Sequence, residues 1–171
     1  MARLSDVLPD SQFNSAALIG AVAAATLAGA WIFQAFGIVP CELCLKERFA
    51  YYGAVPLAAI VAYAAAGGGR GRAAAVTPGL IGLGLIFAVN AGLGIYHSGV
   101  EWGVWKGPED CAGVIAAAPK VADFLNQLQH IKVVRCDEVQ IRILGLSLAN
   151  WNVVISAALA ALAGRGATLP R

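Results

Sequence analysis

Charged residues are absent from four long stretches of this chain, residues 11–41, 49–69, 73–100 and 143–164. A helix needs about 20 predominantly apolar residues to cross a hydrocarbon core about 30 Å thick, and each stretch exceeds that length. The pattern predicts an all-α membrane protein, a single domain over residues 1–171 built as a bundle of four transmembrane helices. The spans are expected near 15–38, 49–66, 79–96 and 144–163, with outer loops at 39–48 and 97–143. A very apolar soluble bundle is the alternative, and the stretch lengths weigh against it. Arg3 ahead of the first stretch resembles the start of a signal peptide. The apolar run from Ala16 to Val39 outlasts the about 7–15 residues of a signal core, so it reads as a retained span.

Within the long second loop, Val121, Phe124, Leu125 and Leu128 fall at i, i+3, i+4 and i+7. That spacing predicts a short amphipathic helix over Pro119 to Leu128, lying on the membrane surface. Trp102 and Trp105 read as interfacial anchors. Gly82, Gly84, Gly92 and Gly94 in the third span permit close helix approach, which packing alone explains. Residues 67–72 read as a tight basic turn.

Composition agrees with this picture: 59% of residues are hydrophobic and only 13% charged, about half the charged share of a soluble domain. A net charge of +2 without any Lys/Arg cluster excludes nucleic acid as a partner and leaves membrane lipid as the surroundings.

Parity then places the cysteines. Cys41 and Cys44 lie between spans one and two, and Cys111 and Cys136 between spans three and four, so all four share one side of the membrane. Counting Lys and Arg runs five to seven against putting that side outside. The acid-free Arg residues of the 67–75 turn and the C-terminal tail vote for it, and four cysteines on one face favour an oxidising compartment more strongly. The cysteine loops are therefore expected on the outer side, in an oxidising compartment, with both termini on the opposite side.

Pro40-Cys41-Glu42-Leu43-Cys44 carries the sharpest chemistry. Closing so small a disulfide ring yields about 2 kcal/mol in the chain-entropy model, against about 3.5 kcal/mol for a 26-residue ring. A tight pair is a poor staple and suits reversible redox work. Cys44 is expected near the N-terminus of the second span, where the helix dipole and Arg48, four residues on, both favour a thiolate. A metal site is the rival, but Cys111 and Cys136 lack the tight spacing of a second zinc-binding pair. Arg48 reads equally as a snorkelling anchor, a partner of Glu47, or a ligand for a quinone carbonyl. A disulfide between Cys111 and Cys136 is either a simple staple or an exchange partner for the first pair. His97, at the outer end of span three, is a candidate quinone donor, although a lone interfacial histidine is more often incidental, as His130 in the loop is read to be.

With these residues in view, the chain resembles the DsbB family of bacterial disulfide-forming membrane proteins. The resemblance rests on the four spans, on Pro-Cys-x-Leu-Cys followed by Glu47-Arg48, and on two cysteines in the second outer loop. Gly99-Val100-Glu101-Trp102-Gly103 ahead of Gly107-Pro108 and Cys111, and Cys136-Asp137-Glu138 leading to Leu144-Gly145-Leu146-Ser147, add to it. It implies a thiol:quinone oxidoreductase that reoxidises a DsbA-like periplasmic protein of thioredoxin fold. The redox disulfides would be Cys41–Cys44 and Cys111–Cys136, the cofactor ubiquinone or menaquinone, and the quinone-site residues Arg48 and His97, with no metal. Reduced partner would attack at Cys111, Cys136 would exchange with Cys41, and Cys44 would be freed as a thiolate beside quinone. Vitamin K epoxide reductases are a related alternative, but their tight cysteine pair belongs to a later span. A transport or scaffold protein with two fixed disulfides is the alternative from another class.

Overall fold

The computed structural model describes residues 9–67, 69–108 and 135–170. Cys111, His130 and the expected amphipathic helix at 119–128 lie outside the described residues. Among the described residues four helices make up the bundle: α1 Gln12–Ala35, α2 Glu42–Ala66, α3 Arg70–Glu101 and α4 Leu148–Thr168. Short links join α1 to α2 and α2 to α3, and the helices pack α1 on α2, α2 on α3, and α3 on α4, while α4 also meets α1.

Local chemistry sets the helix ends. Ser11 caps α1 by accepting the Asn14 N–H through its hydroxyl. At the far end Gly37 takes a left-handed φ of 89°, and the N–H groups of Gly37 and Ile38 reach back to the carbonyls of Gln34 and Phe33. This pair of bonds is a Schellman stop, which satisfies the last carbonyls and turns the chain sharply. Only four residues, 38–41, then separate it from α2. The end of α3 repeats the motif: Gly103 and Val104 bond back to Val100 and Gly99. On the opposite side, α3 starts at Arg70, so the expected basic turn shrinks to Gly67–Gly69 and Arg72 belongs to the helix. Gly69 occupies the cap position, and the run Ala73-Ala74-Ala75 favours helix over turn.

Before α4, residues Arg142–Ile143 (β1) and Leu146–Ser147 (β2) form a two-stranded antiparallel hairpin. Leu144 and Gly145 both have positive φ, the backbone of a type I′ turn. Sequence patterning did not foresee this element. Ser147 joins it to the bundle twice, accepting the Asn150 N–H as the cap of α4 and donating to Glu101 at the end of α3.

The main core is a stripe of small and branched residues, among them Ala16, Ile19, Ala54, Ala58, Leu80, Leu83, Phe87 and Ala163. Small residues at the seams allow close packing: beside Gly94, Val153 and Asn152 fill the space a Cβ would need, whereas nothing crowds Gly92. Polar residues are turned inward. Tyr51 of α2, Asn90 of α3, and Asn152 and Ser156 of α4 form one buried network, with Tyr51 donating to Asn152 Oδ1 at 2.7 Å and Asn90 donating to Asn152 and Ser156. Large apolar residues such as Trp31, Phe49, Ile60, Leu85 and Val89 face outward. An apolar exterior around a hydrogen-bonded interior suits lipid surroundings, where an unsatisfied polar group is costly. Among the described residues three helices, α1 to α3, are long and apolar enough to cross a membrane. In α4 the expected fourth span is interrupted by Asn150, Asn152 and Ser156.

Candidate redox site

The Schellman stop and the short link deliver Cys41 to the cap position of α2. Its sulfur accepts the Cys44 N–H at 3.2 Å, the bond a Ser or Asp would make at a helix start. Cys44 follows one turn later, and the two sulfurs stand 2.7 Å apart as free thiols. Because the helix begins at Glu42, Cys44 and Arg48 do lie on one helix face. The thiolate, however, falls differently from the expectation. Cys41, not Cys44, occupies the place where the helix N–H groups converge. Its ionisation is pushed down to about 5, first by the hydrogen bond from the Cys44 thiol and then by His97, with burial opposing both.

His97 is the next contact. Its Nε2 lies 3.5 Å from Cys41 Sγ, and its Nδ1 lies 2.8 Å from Glu47 Oε1. Both side chains are almost wholly buried, Glu47 at 6% and His97 at 2% exposure. One of the readings open for Arg48 made Glu47 its partner. Instead Glu47 turns inward with Leu43 and Tyr51, at spacings of four residues along the buried stripe of α2. A charged residue in register with that stripe is the signal that sequence reading could have used.

Arg48 points the other way. Its guanidinium donates to Gln34 Oε1 at 2.9 Å and to the Ala30 carbonyl at 3.4 Å, both on α1. Between these groups lies a cavity of about 320 Å³, lined by Cys41, Cys44, Arg48 and His97 on one side. Phe33, Ile38, Trp151 and Ile155 contribute apolar walls, and the lining also reaches Asn152. The Nδ2 group of Asn152 is buried with no hydrogen-bond partner. An apolar pocket of this size with few polar groups fits a flat ring carrying carbonyl oxygens.

Cys136 belongs to the same neighbourhood. It is disulfide-bonded and buried, and it packs in a small cluster with Cys41, Leu43 and Val100, against which Cys44, Leu93 and Tyr96 also lie. Gln140 fastens this segment to the first loop by donating to the Val39 carbonyl at 2.6 Å. The fold therefore gathers Cys41, Cys44, Cys136, Arg48 and His97; Cys111 lies outside the described residues. Trp105 covers the end of α3, stacked on Tyr96 and donating to its carbonyl, while Trp102 is exposed. Neither lines the cavity.

Three possible metal-ligating atoms, the sulfurs of Cys41 and Cys44 and a nitrogen of His97, lie within 4.8 Å of one another. A zinc ion bonded to both sulfurs at about 2.3 Å would hold them about 3.7 Å apart in tetrahedral geometry. The observed approach is much closer and favours formation of a sulfur–sulfur bond.

A helical bundle with apolar outer faces and a buried cysteine pair at one end defines a membrane-type thiol redox protein. The model of the family described as "Disulfide bond formation protein DsbB" matches residues 13–165. A protein of Marinobacter nauticus named "Disulfide bond formation protein B" is 31% identical over 146 residues, covering 80% of each chain. No solved structure matches. The chain belongs to the DsbB family, and its activity is that of a disulfide oxidoreductase in disulfide bond formation.

Proposed function

We propose that this protein is a thiol:quinone oxidoreductase that reoxidises a DsbA-like periplasmic protein of thioredoxin fold. The observation that carries the reading is the convergence of three things at one end of the bundle. Cys41 and Cys44 are poised to join, the Cys136 disulfide packs against them, and an apolar cavity opens beside Cys44 and Arg48.

The residues present fit a quinone headgroup. Arg48 supplies a cation for a carbonyl oxygen, and Phe33, Ile38 and Trp151 supply apolar walls for the ring. Ubiquinone or menaquinone, when bound, would accept two electrons and two protons. The chain's own part is thiol exchange. Attack of the partner's thiolate at Cys111 would open the Cys111–Cys136 disulfide, and the Cys136 thiolate would attack Cys41, releasing Cys44 as a thiolate. Each exchange forms one sulfur–sulfur bond and breaks another, so the electron pair moves along the chain of cysteines. All four helices cross the inner membrane in this reading, with both termini cytoplasmic and the loops 39–48 and 97–143 facing the periplasm. In α4 the inward turn of Asn152 and Ser156 makes such a span tolerable.

Turnover tests it. Purified protein with ubiquinone or menaquinone and a reduced thioredoxin-fold dithiol protein should reduce the quinone, and Cys44→Ser should not. Absence of quinone reduction with either quinone, in folded protein, would return the four cysteines to a structural role.

A further inference from the structure

We propose that His97 is the proton acceptor of Cys41 and that Glu47 positions it, making a carboxylate–imidazole–thiol relay across α2 and α3. Two contacts carry the inference: Glu47 Oε1 at 2.8 Å from His97 Nδ1, and His97 Nε2 at 3.5 Å from Cys41 Sγ. A carboxylate can only accept, so it fixes the proton on Nδ1 and turns the lone pair of Nε2 toward the sulfur. The proton then leaves Cys41 Sγ for Nε2. Sulfur becomes a thiolate, the ring becomes an imidazolium held by Glu47, and no electrons change hands in this step.

Burial explains why the carboxylate is needed. An imidazolium forming in a site that is nearly closed to water lacks solvation, and a fixed opposite charge replaces it. The same burial explains the histidine, because a lone carboxylate at a membrane boundary is costly without a partner. His97 and Glu47 are matched to each other, and the sulfur is the group their pairing leaves to act on. The lowered ionisation of Cys41 points the same way.

Other charges near Cys41 are accounted for. Cys44, Arg48, Tyr51 and the Glu42–Lys46 ion pair come from α2, and Glu101, already receiving the Ser147 hydroxyl, from α3. Glu138 comes from the segment before the hairpin, and Cys136 is held in a disulfide and does not titrate. The cavity walls from α1 and α4 bring no titratable group. Among these only His97 touches Cys41 and Glu47 at once.

The relay serves the thiol oxidoreductase reading, but its test needs neither quinone nor partner protein. In full-length protein carrying Cys44→Ser, Cys111→Ser and Cys136→Ser, Cys41 is the sole thiol. Its alkylation by iodoacetamide, read by peptide mass across pH 4–10, reports the thiolate directly. In this background Glu47→Gln should move the alkylation midpoint upward by about one pH unit or more, with a rate about tenfold lower below the midpoint. Glu47→Asp should recover part of the shift, and His97→Asn should match or exceed Glu47→Gln. A purely structural α2–α3 pairing would instead change the rate by one factor at every pH and leave the midpoint in place, which overturns the relay. Should the Glu47 variants fail to fold, the ring nitrogen resonances of His97 in otherwise unaltered reduced protein decide. They should titrate together with Cys41 and lose that coupling in Cys41→Ser; titration unaffected by Cys41→Ser overturns the proposal. Lost turnover with an intact midpoint shift would count against the quinone reading alone.

Discussion

Arg48 of α2 donates to Gln34 of α1 at 2.9 Å, so the one cation lining the cavity among the described residues is aimed from outside its own helix. The contact spans the Gly37 turn, which folds the end of α1 back against the first turns of α2. A guanidinium held on one edge keeps its remaining N–H groups free for a ligand, and its planar fork loses little freedom in binding one. Arg48→Ala should raise the apparent KM for quinone about tenfold, in line with about 1.5–3 kcal/mol for a hydrogen bond to a charged group. Gln34→Leu should raise it less, about threefold, with kcat unchanged, by the same scale for a weakened charge-assisted bond. An unaltered KM in both variants would reduce Arg48 to a snorkelling anchor.

Cys41 sets an expectation for pH. Its folded ionisation, about 5, lies below the ordinary 9.0 of a cysteine thiol. The stabilisation that follows is complete above the ordinary value and is lost as the pH falls through the folded one. His97 beside Cys41 is held protonated up to about 10, so the two shifts offset each other between about 9 and 6.5, and reduced protein should lose thermal stability relative to the Cys41–Cys44 disulfide form as pH falls from about 6.5 to about 5. Melting curves of the two forms in detergent should diverge over that window. Cys41→Ser should remove this dependence.

Tyr51 donates to Asn152 Oδ1 at 2.7 Å in the buried network that joins α2 to α4. Tyr51→Phe deletes one donor while Asn90 still serves the same oxygen, so the loss should be about 1 kcal/mol. Asn152→Ala removes the acceptor that Tyr51 and Asn90 share and leaves them only Ser156 Oγ, so it should cost about 2 kcal/mol. Unfolding of both single variants and the double variant measures this directly: additive losses would mean that the network contributes no cooperativity.

The Cys136 cluster predicts a trapped intermediate. With Cys44→Ser the exchange between Cys136 and Cys41 has no resolving thiol behind it. The Cys41 thiolate should then attack Cys136 of the proposed Cys111–Cys136 disulfide and release Cys111 as a thiolate, so that a Cys41–Cys136 linkage accumulates without any partner and survives non-reducing separation. Peptide mapping that recovers no such linkage would separate the two cysteines functionally despite their shared packing.

Much of this molecule is written locally. Four charge-free stretches correspond to the four helices, because apolar length alone says where a backbone must satisfy its own hydrogen bonds. The Cys-x-x-Cys spacing, the following Arg48 and the placement of cysteines in two loops were legible for the same reason, being near neighbours in sequence. Helix ends were less so: α3 runs from Arg70 to Glu101, beyond both edges of its apolar core, since alanines before it and a Schellman stop after it extend the helix. The hairpin at 142–147 was missed, as its strands are two residues long and Leu144 is an unusual occupant of a left-handed position.

The sequence by itself determined that the chain is an apolar helical bundle carrying a tight cysteine pair and a second pair of cysteines farther along. The tertiary structure places Cys41 at the cap of α2, where its ionisation is pushed down. It alone brought His97 to Glu47 across 50 residues, Asn152 to Tyr51 across 101, and Arg48 to Gln34 on the neighbouring helix. The physical reason is that periodicity reports which face of a helix is buried, whereas the partner found there depends on how deep one helix sits against the next. That depth is set by contacts such as Gly94 against Val153, which no single stretch of sequence contains.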